Sequence, residues 1–430
     1  NLPKGVKYLD WLLMSKENEI VPELRFPEFT DSSEWKEKPL DEVCNVNPSK
    51  KELPNEFIYI DIESVESGRL LKRNVIGSKN APSRAQRLLK SGDIIFQMVR
   101  PYQKNNYYFK PNDTHSYVAS TGYAQLRALE SNAYLFQYLH TDSFVKRVLE
   151  RCTGSNYPAI NSTSLSKVIV EIPSEKEQQK IADCLSSLDA LIAAHRDKLD
   201  ALREHKKGLM QNLFPQEGER VPRYRFAGFE GAWEEQVLGN LIDVKGRIGY
   251  RGYTRKDIVN KGDGAISMSP SNIDENGSLN FEKSTYISWH KYEESPEIML
   301  RDGFTVLVKT GSSFGKAAFI SDLKEKATIN PQLVVLKPEA IHPRFLFLMV
   351  ANASIQKQIR ETVVGGAIPT LSQASIAAFK VVAPKPEEQQ KIAECLSSVD
   401  ELITAQEDRI AQLQEHKRGL MQGLFPKTNG

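Results

Sequence analysis

Two long stretches of the chain place apolar residues alternately four and three positions apart. In the first, Ile181, Leu185, Leu188, Ile192, Leu199, Leu202, Leu209 and Leu213 keep the step, and His195 and Lys206 interrupt it. In the second, Ile392, Leu396, Val399, Ile403, Ile410, Leu413, Leu420 and Leu424 do the same, interrupted by Gln406 and Lys417. A 3.5-residue repeat over about four to five heptads predicts helices that pair along a narrow seam. Pro173 and Pro384 precede the two patterns and Pro215 and Pro426 end them, as expected of residues that cannot continue a helix. At ~1.5 Å per residue, about 40 residues make a rod of roughly 60 Å. Polar residues on such a seam fix register at some cost in stability, the role assigned to His195, Gln406, Lys206 and Lys417.

The two rods are copies. EQQKIADCLSS (177–187) returns as EQQKIAECLSS (388–398), and EHKKGLMQNLFP (204–215) as EHKRGLMQGLFP (415–426), both at an offset of 211. Direct comparison of 173–215 with 384–426 gives 27 identities in 43 positions, far beyond chance. The offset persists upstream, where Gly154 meets Gly365 and Pro158 meets Pro369. A second likeness opens each half: VPELRFPEF (21–29) recurs as VPRYRFAGF (221–229), and Trp35 as Trp233. Residues 45–130 and 243–340 show little likeness, so each half is a repeated frame around a divergent insert. LFPQEGERVPRYRF joins the halves, and linking the LFPKTNG end to the ENEIVPELRF start would restore that junction. Two halves related by a pseudo-two-fold axis, with adjacent termini and antiparallel rods, are therefore expected.

Shorter patterns fill the halves. DIIFQMV (93–99) and FTVLVK (304–309) read as strands among Gly, Pro, Asn and Ser, and 133–150 and 344–361 as amphipathic helices. Neither insert has the strand–helix alternation of a nucleotide-binding fold. The predicted fold class is α+β: two globular domains separated by an antiparallel coiled coil of two long helices.

Charge is informative only by region, since the whole chain carries +2. Residues 69–110 hold ten Lys and Arg against the single acid Asp93, and 245–261 hold six against Asp257. Basic residues neutralise phosphates, while Arg, Asn and Gln read base edges through paired hydrogen bonds. A solvated basic face accounts for one such stretch; one in each divergent insert favours DNA. The candidate contacts are Lys72, Arg73, Arg84, Arg87, Arg100, Tyr102, Gln103, Lys104 and Asn105 in the first insert. In the second they are Lys245, Arg247, Tyr250, Arg251, Arg255, Lys309, Ser312 and Lys316.

The 430 residues, 40% apolar and 26% charged, suit a globular chain of about two or three domains. No run of ~18 apolar residues occurs, so no helical membrane span is expected. Cys44, Cys152, Cys184 and Cys395 are too few and scattered for a disulfide framework or zinc site; without a secretory pattern, a cytoplasmic location is expected. Met14 is a candidate start, which makes 1–13 an extension. VKTGSSFGKA (308–317) is not a phosphate loop: three residues separate Gly311 from Gly315, and Ala317 stands where the metal-binding hydroxyl belongs. Asn330-Pro331-Gln332 and Asn47-Pro48-Ser49 lack the second Pro and the aromatic of an amino-methyltransferase motif. The seven His are dispersed, and no catalytic or metal-binding residue is assigned.

The VPELRF/VPRYRF openings, the twin EQQKIA(D/E)CLSS starts and the EHK(K/R)GLMQ(N/G)LFP endings resemble the specificity subunit of type I restriction–modification enzymes over residues 21–426. The resemblance implies target recognition domains at 21–172 and 216–383 and helical spacers at 173–215 and 384–426, after an extension at 1–20. It implies that each domain reads half of a bipartite site in double-stranded DNA. Two modification subunits would dock on the helices, bringing S-adenosylmethionine, and restriction subunits using ATP and Mg²⁺ would join them. The chain itself would be the non-catalytic reader, holding no cofactor.

Overall fold

The computed structural model describes residues 20–48, 52–154, 156–274, 277–362 and 370–427, so the 1–13 extension, Gly365 and Pro369 lie outside the described residues. It divides into two compact units, Asn1–Arg196 with Asp408–Gly430, and Asp197–Glu407.

Unit 1 runs through β1 (Lys36–Pro39), α1 (Leu40–Val43), β2 (Cys44–Val46), β3 (Glu56–Ile60), β4 (Val65–Glu66), β5 (Arg69–Leu70), β6 (Asn74–Gly77) and β7 (Ala85–Leu88). It continues through β8 (Ile94–Gln97), β9 (Tyr107–Tyr108), β10 (Tyr117–Ser120) and β11 (Tyr123–Ala128). Helices α2 (Asn132–Tyr138), α3 (Asp142–Glu150) and α4 (Ser162–Ser166) follow, then β12 (Ile169–Ile172) and the long helix α5 (Glu175–Asn212). One sheet has the order β2-β11-β8-β9 and is antiparallel throughout. The other has the order β6-β3-β10-β7, with β3 and β10 parallel. Strand β8 explains the unbroken apolar run at 93–99: Ile94 and Phe96 face the core under the helices, and Ile95 faces the core of the other sheet.

Unit 2 contains β13 (Glu234–Val237), β14 (Ile242–Gly246), β15 (Ile258–Val259), β16 (Gly264–Met268), β17 (Thr285–Ser288), α6 (Trp289–Glu293), β18 (Thr305–Val308) and β19 (Ala317–Phe319). Then come β20 (Ala327–Ile329), β21 (Leu333–Pro338), α7 (Pro343–Ala351), α8 (Ala353–Glu361), α9 (Gln373–Ala377), β22 (Lys380–Ala383) and α10 (Pro386–Leu424). Its sheets are β14-β21-β18-β19 and β15-β17-β16-β20, the latter with β16 and β20 parallel. The first repeats the strand order of its counterpart in unit 1. The inserts therefore share the topology of this sheet although their sequences do not match, while the second sheets differ: the parallel pair is central in unit 1 and lies at one edge in unit 2.

The helical stretches at 133–150 and 344–361 depart from expectation, since each is two helices rather than one. Thr141 and Asn352, at the same offset of 211, leave helical geometry and cap the second helix of each pair. The Thr141 hydroxyl accepts from the Phe144 amide and the Asn352 side chain from the Ser354 amide.

The repeated motifs form the frame that ties each globular part to the long helices. Arg25 from the first opening forks onto Glu177 with both bonds at 2.8 Å, and Arg225 from the second does the same to Glu388 at 2.8 Å. The two glutamates are 1% and 2% exposed, so each arginine compensates a buried charge. Phe425 of the second LFP packs edge-on to Trp35 at 6.2 Å, and Phe214 of the first packs on Trp233 at 5.9 Å. The expected junction is present too: the Leu24 amide donates to Gly423 O at 2.8 Å, repeating the bond from Tyr224 to Asn212 O at 2.9 Å.

Each long helix contributes to both units, and within each unit the pairing is antiparallel. In unit 1 the first half of α5 meets the last half of α10 through Asp189 and Lys417 at 2.6 Å. In unit 2 the last half of α5 meets the first half of α10 through Lys206 and Asp400 at 2.6 Å and Arg203 and Glu407 at 2.6 Å. Lys206 and Lys417 interrupt the apolar step because each carries a cross-helix ion pair. Every apolar seam residue is buried or half-buried; Ile181, Leu185, Ile192, Leu199, Leu213, Ile392, Leu396, Val399, Ile410, Leu413 and Leu424 are buried.

Candidate nucleic-acid interface

Most of the candidate residues in unit 1 gather around the connection from β8 to β9. Arg100 and Lys104 flank a single tight turn, Pro101–Gln103, and both have φ +54. Left-handed backbone costs a non-glycine residue about 1–2 kcal/mol. The turn is held from outside: the Arg100 amide donates to Pro158 O at 2.7 Å, and Ile160 N to Met98 O at 3.0 Å. Its far end is fixed by Asn106, whose Oδ1 accepts from Gln97 N at 2.9 Å and whose Nδ2 lies 3.4 Å from His140 Nε2. His140 Nδ1 lies 2.7 Å from Phe136 O, which assigns the proton to Nδ1 and leaves Nε2 to accept from Asn106. Burial pushes the His140 pKa down to about 4, consistent with a neutral ring; Lys417 and Lys104 lower it further and Asp189 opposes them. Lys104 Nζ donates to His140 O at 2.9 Å and to Asp142 at 2.6 Å, clamping the turn to the break between α2 and α3.

Tyr102 is 49% exposed, and Gln103 is exposed while accepting from Gln97 at 2.9 Å. Asn105 Oδ1 accepts from Ser67 N at 3.2 Å, which sets the β4–β5 hairpin beside the turn. Lys72 and Arg73 follow that hairpin and stay exposed, Lys72 at 3.8 Å from Glu63 and Arg73 at 3.3 Å from Asp113. Arg84 is exposed, and its carbonyl accepts from Thr121 N in the turn whose Gly122 carbonyl accepts from Met98 N. Arg87 is half-buried with its Nε unpartnered, and burial lowers its pKa.

Unit 2 builds the same connection between β18 and β19 from the glycine-rich run. Gly311 and Gly315, 211 positions beyond Arg100 and Lys104, have φ +103 and +85. The Phe314 amide donates to Gly311 O at 3.2 Å as Gln103 N does to Arg100 O at 3.0 Å, and Leu371 N donates to Lys309 O at 2.9 Å. Gln356 replaces the lysine–histidine clamp, its Nε2 donating to Gly315 O at 3.0 Å and to Val350 O at 2.9 Å. Ser312 is exposed on this turn; Lys309 and Lys316 are half-buried at its ends, and burial lowers the Lys309 pKa.

The remaining candidates of unit 2 divide. Arg247 is a correction: it is 6% exposed and its guanidinium donates to Ile329 O at 3.0 Å and Thr328 Oγ1 at 3.2 Å. It follows β14 where the end of β20 offers those acceptors, so its role is structural. Lys245 pairs with Asp243 at 2.9 Å and Arg251 with Glu297 at 3.6 Å. Arg255 is exposed on a turn capped by Thr254 and Asp257. The Tyr250 side chain lies outside the described residues. Asn47 and Asn330 are spent on structure, Asn47 on Gln125 N and Ser162 and Asn330 on Gln332.

Tyr157 was absent from the candidate set. It is 64% exposed on the segment bridged to Val99 through Ala159, and the Arg100 guanidinium lies 4.4 Å from its ring centroid. The available signal was the Gly154/Gly365 and Pro158/Pro369 recurrence around it.

The description "Type I restriction modification DNA specificity domain" matches residues 32–204 and again 233–415, so the chain belongs to the type I restriction–modification specificity family, whose work is DNA target recognition. It is 23% identical over 310 residues to the type I restriction enzyme MjaVIII specificity subunit of Methanocaldococcus jannaschii, covering 70% of this chain and 71% of that one. The HindI specificity subunit of Haemophilus influenzae is 29% identical over 195 residues, 42% of this chain and 41% of that one. The fold resembles that of the type I restriction–modification system S subunit from M. genitalium, with TM-score 0.56 and 15% identity over 95% of this chain and 100% of that one. It also resembles a chain solved in the type I R-M system, with TM-score 0.52 and 21% identity over 91% of this chain and 97% of that one. Among the described residues no helix is long and apolar enough to cross a membrane.

Proposed function

We propose that each unit reads one half of a bipartite, asymmetric site in double-stranded DNA, and that the paired helices set the distance between the half-sites. The observation that carries this reading is the turn at 100–104 and 311–315: one backbone device at equivalent positions, dressed with different side chains. A common frame with unlike tips suits two readers of unlike words. On this reading the recognition domains are 21–172 and 216–383, and the spacers 173–215 and 384–426.

The helices also dock two modification subunits. Leu191 and Leu402, 211 positions apart, are 40% and 55% exposed, and equivalent apolar side chains in both copies suit two identical partners. Those partners bring S-adenosylmethionine and methyl transfer, and restriction subunits add ATP- and Mg²⁺-dependent translocation and cleavage in the cytoplasm. This chain contributes recognition and no catalysis.

The test is modified-base sequencing of DNA methylated by the assembled complex. Exchanging 45–130 for a relative's insert should change one half-site alone; a change in both would end independent reading. Inserting one heptad after Leu199 adds roughly 10 Å of helix, about three base pairs, and should lengthen the spacer between unchanged half-sites.

A further inference from the structure

Arg100 differs from the other cations of the interface in how its charge is used. Lys72, Arg73, Lys104, Lys245 and Arg251 have carboxylate partners, and Arg247 is buried on a carbonyl and a hydroxyl. No oxygen among the described residues accepts from the Arg100 guanidinium, which lies instead over the Tyr157 ring at 4.4 Å. Arg84 and Arg255 are exposed, and among the described residues no aromatic ring lies beneath either. The backbone under Arg100 is also fixed, by its left-handed φ of +54 and its amide bond to Pro158 O at 2.7 Å. At the equivalent place unit 2 has Gly311, which makes the same bend without strain. Unit 1 therefore keeps a strained residue where the turn itself favours glycine, and what it gains is the side chain.

We infer that Arg100 reads a guanine in the half-site of unit 1, with Tyr157 as its positioning residue. A guanidinium over an aromatic ring is held by cation–π attraction and can turn only about that stack. Its in-plane N–H edge stays available, and two parallel donors match the O6 and N7 acceptors of guanine in the major groove. The same planar fork also fits a phosphate, but a phosphate contact acts alike at every sequence whereas a guanine contact acts at one base pair, and that difference is what the test reads. Gly311 lacks a side chain, so unit 2 places no side chain at this position and the two half-sites differ there. The inference rests on the proposed function, since it presupposes that the turn meets DNA.

The assembled complex with its modification subunits is tested on its own methylated motif, using duplexes in which each guanine in turn is replaced by 7-deazaguanine, which lacks the N7 acceptor. Wild-type protein should lose about tenfold or more in affinity at one guanine of the half-site that insert 45–130 controls. Arg100→Ala should be insensitive to that replacement and should relax the methylated motif at that position only. Tyr157→Phe should behave as wild type, and Tyr157→Ala should lose part of the discrimination at the same guanine. Uniform weakening at every position in Arg100→Ala, with the motif intact, would make Arg100 a phosphate clamp and overturn the inference. So would a wild-type complex indifferent to 7-deazaguanine throughout that half-site, a result independent of whether any variant folds. Binding with no sequence preference in the wild type would instead remove the parent reading.

Discussion

The turns Arg100–Lys104 and Gly311–Gly315 join equivalent strands, and each bends through left-handed backbone at its first and fifth residues. In unit 2 both bends fall on glycine, and the turn is tied down by neutral hydrogen bonds from Gln356. In unit 1 both fall on basic residues, and the tie is a lysine, an asparagine and a half-buried histidine. The backbone requirement belongs to the frame and is met twice; the side chains belong to the reader and differ. Strain concentrated on one of two equivalent turns marks where side-chain chemistry outweighs local stability. The same division predicts which substitutions act alike in the two units and which do not.

The largest effect should fall on the shared frame and be equal in both units. Arg25→Ala leaves Glu177 buried and unpaired, and Arg225→Ala does the same to Glu388. Breaking a buried pair from one side costs about 3–5 kcal/mol. Calorimetric unfolding of each variant should show that loss to a similar degree. If one substitution is silent, the frame is not equivalent in the two units.

Acidification should separate the units. The folded-state pKa of His140, about 4, lies below the ordinary 6.5, so the folded state favours the neutral ring. Its contribution is complete above the unfolded-state value and is lost as pH falls from about 6.5 towards 4, by up to about 3 kcal/mol. A protonated ring also turns Nε2 into a donor facing Asn106 Nδ2, which opens the clamp. Gln356 does not titrate. Hydrogen exchange, corrected for its intrinsic pH dependence, should show 98–106 losing protection between pH 7 and 5 while 309–316 keeps it. His140→Gln should abolish the difference.

Exchanging residues at the two left-handed positions should act in opposite directions. Gly311→Ala meets φ +103 and places its Cβ 3.2 Å from Gln332 Nε2, a cost of roughly 1–2 kcal/mol. Arg100→Gly relieves the bend and should leave stability unchanged or raise it by up to about 1 kcal/mol, while weakening DNA binding. Urea unfolding and duplex binding on the same preparations check both. Loss of stability in Arg100→Gly would mean that the stack on Tyr157 contributes more than the strain costs.

The sequence revealed the frame well because the frame is where the chain repeats itself. The seam step, the twin openings and the LFP endings were all legible, although the reason the openings recur, an arginine fork onto a buried glutamate, was not. The helix breaks at Thr141 and Asn352 were hidden because apolar spacing continues across them and only the cap residue reports the turn. The shared strand order of the sheets that hold β8 and β18 was hidden for a different reason: these strands keep apolar character but no common residues, and hydrogen bonds between strands leave no sequence likeness. Candidate cations chosen by residue type gave a mixed return. Charge density along the chain does not show which guanidinium a neighbouring carbonyl has already taken, as with Arg247, or which one an aromatic ring has left available, as with Arg100.

The smallest predicted difference lies on the helices, where equivalent ion pairs have unequal surroundings. Asp189 receives Lys417 at 2.6 Å and the neutral Gln137 at 2.7 Å, whereas Asp400 receives both Lys206 and Arg344 at 2.6 Å. Removing Lys417 leaves a half-buried aspartate with an amide alone, but removing Lys206 leaves one still paired to a guanidinium. Partly exposed pairs of this kind are worth about 0.5–1 kcal/mol. Lys417→Met should therefore cost near the upper figure and Lys206→Met near or below the lower one, read as shifts in urea midpoint at constant slope. Adding Arg344→Met to Lys206→Met should cost more than the two single losses combined, because only the double variant strips Asp400 of compensating charge. Simple additivity would mean that Asp400 is solvated well enough to stand alone, and that the seam lysines act through the packing of their stems.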